Sequence, residues 1–182
     1  FAKGEIETNG QRLSVPLDFV SITDHAEFLG ELDICSESTL KGYGSMACRL
    51  YRSHPQTAFI LLDSTLSKSP KGNPAIVKRW RMCRRDGIEC EVRAQTVWTE
   101  LTQTAEENND PCSFTTFPAY EWSASPKTNN LHRNILFLNA TTPSRPISYF
   151  DQPTPEQLWE ALDEECNGSC DYLSIPHNSN LS

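Results

Sequence analysis

The feature that most constrains this chain is the run Leu17-Asp18-Phe19-Val20-Ser21-Ile22-Thr23-Asp24-His25, which is largely apolar until it stops on three polar side chains able to do chemistry. Phe19, Val20 and Ile22, with the small Ser21 among them, predict a strand buried on both faces, because a parallel strand covered by helices shows a near-continuous apolar run. Thr23, Asp24 and His25 then fall at its carboxyl end, where parallel α/β folds carry their function. The arrangement recurs: Thr115 to Tyr120 runs into Glu121, and Asp171 to Pro176 runs into His177. One His closing a strand is an ordinary hydrogen-bonded terminus. Three short segments, each ending on a side chain that can bind a metal, point instead to one shared site.

Between these segments the signals are helical. Met46 to Tyr51 and Thr57 to Leu66 read as short helices broken at His54-Pro55, because the residue before a proline is pushed out of helical geometry. His54 lies in that break, follows no strand and has no acidic neighbour, and is assigned to the surface or to a structural role. Asn73 caps a further helix with Pro74 at its first position, and Asp86-Gly87 ends it. Lys78, Arg79, Arg81, Arg84 and Arg85 are read as that helix's solvated face, with a phosphate-binding role as the alternative. A longer helix is expected from about Glu89 to Asn108, with Val92, Val97, Trp98 and Leu101 as its buried stripe.

Ile135 to Leu138 reads as a strand. Thr154 caps the last helix, Pro155 takes its first position, Gln157 completes a capping box, and Asn167-Gly168 closes it. Leu158, Ala161, Leu162 and Cys166 form its buried face. Glu27 and Glu31, just past His25, could support a site and are read first as solvated. Strands alternating with helices imply a largely parallel sheet or barrel, in one domain over residues 1–182.

The formal net charge of −8 argues against a nucleic-acid backbone or an anionic membrane as the main partner, since either needs a basic surface. No apolar run is long enough to span a bilayer, and no signal peptide is visible. The chain reads as an internal piece of a longer protein. Seven cysteines leave at least one unpaired. Cys83 with Cys90, and Cys166 with Cys170, are spaced to close short loops, which suits an oxidising compartment; scattered buried thiols are the alternative. Asn139-Ala140-Thr141, Asn167-Gly168-Ser169 and Asn180-Leu181-Ser182 match the glycosylation acceptor pattern, a triplet that also arises often by chance.

Four blocks carry a family resemblance: Leu17 to Gly30, Tyr120-Glu121-Trp122, Asn130 to Asn134, and Ile175-Pro176-His177-Asn178. Together and in this order they resemble the polymerase-and-histidinol-phosphatase (PHP) superfamily, and within it a PHP-like branch classed as a domain of unknown function and often found in exported bacterial proteins. The resemblance implies a distorted (β/α)7 TIM-like barrel whose strand ends hold two or three divalent ions of zinc, manganese or iron. It makes His25 a metal ligand with Asp24 beside it as ligand or orienting partner, Glu121 the carboxylate bridging two metals, and His132 and His177 further imidazole ligands. Arg133, Asn178 and Asn130 are candidates for substrate contact.

The implied activity is a metal-dependent hydrolase, foremost a phosphoesterase acting on a small-molecule phosphoester, with Asp24, His25 and Glu121 in the catalytic group. A non-catalytic metal- or ligand-binding domain and an amidohydrolase acting on C–N or C–O bonds are the alternatives. The superfamily's first His-x-His and last Asp-x-His motifs are absent, so this piece is expected to hold about half of the ligands and to be inactive alone. Ala119 also stands where the family often has Gly. The resemblance favours a periplasmic or secreted location and leaves the oligomeric state open.

Overall fold

The structure, a computed structural model, describes residues 2–4, 7, 9–67, 79–126 and 129–177, for Asp63 the backbone alone. Its frame is set by a strand pairing and one proline. β1 (Phe19–Ser21) runs parallel to β2 (Thr115–Phe117), with Ser21 opposite Phe117. Pro118 then ends the ladder, having no N–H to offer a neighbouring strand.

Beyond it, β3 (Ala119–Trp122) pairs antiparallel with β4 (Arg133–Phe137), and β4 pairs antiparallel with β5 (Tyr172–Pro176). The first pairing nevertheless carries on in register. His25 and Glu121 form an isolated parallel bridge at the same offset as Ser21 and Phe117, and the Glu121 N–H donates to the Asp24 carbonyl at 2.8 Å.

The expected barrel is therefore not the fold. The described residues form a mixed α/β structure with one sheet of order β1-β2 and another of order β3-β4-β5, and no closed barrel. The connection from β3 to β4, residues 123–132, is shorter than the dozen or so residues that a parallel crossover needs, so β4 returns antiparallel. Nor is the expected strand buried on both faces: Phe19 in β1 is 63% and Ile22 just beyond it 61% exposed, because a two-stranded ladder leaves an apolar strand partly uncovered.

The helices are α1 (Leu29–Ser36), entered through a 3₁₀ turn at Ala26–Phe28, then α2 (Met46–Ser53), α3 (Pro55–Ser67), α4 (Cys90–Asn108) and α5 (Pro155–Cys166). α5 follows the sequence signals closely. Thr154 Oγ1 accepts from the Gln157 N–H, and Asn167 ends the helix in the left-handed conformation. α4 matches its expected span and buries Trp98, but Val92 faces solvent and Ala94 takes a buried place instead.

α1 and α4 cross so closely that a Cβ on Gly30 would lie 1.9 Å from the Cys90 carbonyl oxygen. Most of the helix expected from Asn73 falls outside the described residues; its described end is a 3₁₀ turn at Arg81–Arg84. Arg79, expected on a solvated face, is instead mostly buried against Glu31.

The main core gathers Trp98, Tyr120, Ile135, Phe137, Leu158 and Leu162 between α4, α5 and the three-stranded sheet. Edge-on ring contacts join Trp98 to Tyr120 and to Phe137. A second, smaller core surrounds two disulfides, Cys35–Cys48 and Cys83–Cys90, and a third disulfide, Cys166–Cys170, closes the end of α5. Cys112 is free and exposed. Three disulfides are consistent with an oxidising, extracellular type of environment. Among the described residues no helix is long and apolar enough to cross a membrane.

Candidate metal centre

β1, β3 and β5 run in one direction and β4 in the other, so the carboxyl ends of the first three meet the amino end of β4. His25 follows β1, Glu121 lies near the end of β3, His132 immediately precedes β4, and His177 follows β5. Four elements thus bring three of the chain's four histidines to one carboxylate. The backbone fixes the remaining distance, since the His177 N–H donates to the His132 carbonyl at 2.9 Å.

Glu121 is 5% exposed. Its Oε1 lies 2.6 Å from His132 Nδ1 and 3.6 Å from His25 Nδ1, and its Oε2 lies 3.7 Å from His177 Nε2. A carboxylate only accepts, so His132 Nδ1 carries the proton in this contact. Its Nε2 then accepts from the Ser125 hydroxyl, 2.9 Å away, when the ring is neutral. Ser123 Oγ sits 2.6 Å from His25 Nδ1 and donates to Glu121 Oε1 at 3.5 Å. Burial works to raise the Glu121 carboxyl, but the His132 hydrogen bond and the fields of His25, His132 and His177 outweigh it and hold the group below the usual carboxylate range.

The donor set suits a cation. His25, Glu121 and His132 each offer a ligand atom within 4.8 Å of the others, close to the ~4 Å spanned by two metal–ligand bonds. Imidazole with carboxylate suits zinc, iron or manganese. A second group, Glu31 with Cys83 and Cys90, fits poorly, because the sulfurs form a disulfide and Arg79 already holds both Glu31 oxygens at 3.1 and 3.2 Å.

The other sequence candidates fall elsewhere. Asp24 is exposed, and the contact it makes with the centre is through its main-chain carbonyl. The Arg133 guanidinium lies over the Trp159 ring of α5, 5.2 Å from its centroid. Asn130 Oδ1 accepts from the His132 N–H at 3.2 Å, a local brace. Asn178 lies outside the described residues. His54 is exposed, as expected.

Sequence reasoning missed Ser123 and Ser125 and preferred a solvated Glu27 over one that supports the site. Glu27 is fully buried, not solvated, and its Oε1 accepts from the Ser123 and Tyr149 N–H groups at 3.1 and 2.8 Å. Burial raises its carboxyl above the usual range despite these hydrogen bonds. Glu31 is buried as well. Spacing was the available signal for the serines: Glu121, Ser123 and Ser125 fall two residues apart, the interval that would put side chains on one face of an extended chain.

The family of proteins described as "Protein of unknown function (DUF3604)" has a model that matches residues 1–182. The chain belongs to the DUF3604 family. No curated protein and no solved structure matches it. In this DUF3604 member the match takes in all of the elements that build the His–Glu cluster.

Proposed function

We propose that this domain is a metal-dependent hydrolase, foremost a phosphoesterase, exported to the periplasm or secreted. The observation that carries the reading is the division of labour on Glu121, whose Oε1 faces His25 and His132 while its Oε2 faces His177. Glu121 with His25, His132 and His177 would hold the cations. The blocks that resemble the PHP superfamily supply these four residues, which adds support.

Divalent cations bound there supply Lewis acidity toward a phosphoryl oxygen and make a nearby water a better nucleophile. The protein's own part is positional. Ser125 orients the His132 ring through Nε2, the nitrogen turned away from Glu121, as hydrogen-bond partners of ligating imidazoles do, and Ser123 braces the Nδ1 edge of His25 beside Glu121. Glu27 fixes the Ser123 backbone, and the parallel bridge holds His25 beside Glu121.

Elemental analysis of the purified full-length protein tests the reading, beside the same protein with His25→Ala and Glu121→Ala together, and followed by phosphoesters set against amides and lactones. Zinc, manganese or iron at two or more equivalents, lost in the variant, with phosphoester turnover above the other classes, is the expected result. Absence of metal after reconstitution with each ion refutes it, and turnover confined to amides or lactones moves the domain to the amidohydrolase class.

A further inference from the structure

We propose that an apolar pocket opening beside His25 and His132 holds an uncharged alkyl group of the substrate; the inference rests on the hydrolase reading above and names the substrate class. The pocket measures about 70 Å³. Phe28 and Leu32 wall one side, and Phe59, Leu62 and Leu66 of α3 wall the other. Its polar rim is His25, Ser123 and His132, the groups that gather around Glu121 Oε1. Pocket and carboxylate therefore share two imidazoles, so a chain attached to a group reacting at Glu121 has the pocket mouth beside it.

The lining selects what enters. Among the described residues no Lys, Arg, Asp or Glu lines the pocket. A sugar or nucleotide would bring hydroxyls and amides whose burial without partners costs affinity, whereas an alkyl chain needs none. The volume is roughly half of the ~150 Å³ cavity that accepts benzene, which leaves room for a chain of about two to four carbons. Phe28, Leu62 and Leu66 are buried, but Phe59 stands 56% exposed at the rim, with its ring 6.2 Å from that of His25, where an incoming chain would cover it.

The test is calorimetric titration of the metal-loaded chain with methyl-, ethyl- and n-propylphosphonate and with 2-carboxyethylphosphonate, with metal analysis of the same sample. Affinity should rise about fourfold per added methylene. The carboxyethyl compound should bind no better than methylphosphonate. Phe59→Ala, at an exposed position, and Leu62→Phe, which fills the pocket, should both flatten the series while the metal stays bound. Metal present with equal or no binding across the alkyl series overturns the pocket assignment and leaves the hydrolase reading standing. No bound metal overturns both.

Discussion

Replacing Glu27 by Ala and by Gln separates two roles for one buried carboxyl. Oε1 accepts from the Ser123 and Tyr149 amides, and Oε2 has no hydrogen-bond partner among the described residues. Alanine strands both buried amides, at ~1–3 kcal/mol each, so the loss is ~2–6 kcal/mol before any cavity cost. Against a domain stability of ~5–15 kcal/mol that is a large fraction. Glutamine keeps an acceptor for both amides and only places an NH₂ where Oε2 stood, at ~1–3 kcal/mol.

The pH dependence has a definite sign. Burial raises the folded carboxyl above 4.5, so the folded state binds the proton more tightly than the unfolded state does. The advantage of wild type over Gln is therefore complete below about 4.5 and is lost as pH rises through the folded value, by at most ~1.4 kcal/mol per pH unit. Urea unfolding followed by Trp fluorescence across pH 4 to 8 measures both effects. An Ala variant within ~1 kcal/mol of wild type refutes the anchoring role. A wild-type-minus-Gln difference that is flat or grows with pH refutes the charge-state argument.

Gly30→Ala should lower thermal stability by ~1–3 kcal/mol or more, because the added Cβ meets the Cys90 backbone at 1.9 Å and must push α1 and α4 apart; an unchanged melting temperature refutes the close crossing. Asp151 works in the opposite pH sense to Glu27. Burial favours its neutral form, but hydrogen bonds from Arg145 at 2.9 Å and from the Ser148 N–H and hydroxyl at 2.9 and 2.6 Å hold its carboxyl below 3.8. Asp151→Asn should therefore cost ~1–3 kcal/mol at pH 7, with the gap closing as pH falls below 3.8 through the folded value; urea midpoints at pH 7 and pH 3 give the comparison.

What could be read from the sequence was local. The Thr154 cap, Pro155 and the Asn167-Gly168 stop place α5, because capping and turn preferences act within a few residues. α4 was legible for the same reason, and so were two of the three disulfides, whose partners lie seven and four residues apart. Cys35–Cys48, thirteen apart and joining α1 to α2, depends on how two helices pack and carries no local spacing signal. Strand direction is equally non-local. The apolar runs located β1, β3, β4 and β5 to within a few residues, but period and composition do not say which way a neighbour runs. Glu27 escaped for a related reason: a carboxylate beside Phe28 and Leu29 reads as surface unless the two amides that satisfy it, from residues 123 and 149, are already in place.

The antiparallel course of β4 is the departure with the greatest chemical consequence. In an all-parallel sheet a residue preceding a strand lies at the opposite end from residues that follow strands. His132 precedes β4, so an all-parallel arrangement would carry it a strand's length from Glu121, about 17 Å for five residues. Because β4 reverses, Trp122 pairs with Arg133 and Arg133 with Pro176, and the residues just beyond those pairs converge. The short 123–132 connection that rules out a parallel crossover is thus the same feature that delivers His132 to the carboxylate. The barrel expectation and the expectation that His132 joins the cluster rested on incompatible strand directions, and the 2.6 Å contact between His132 and Glu121 requires the antiparallel one.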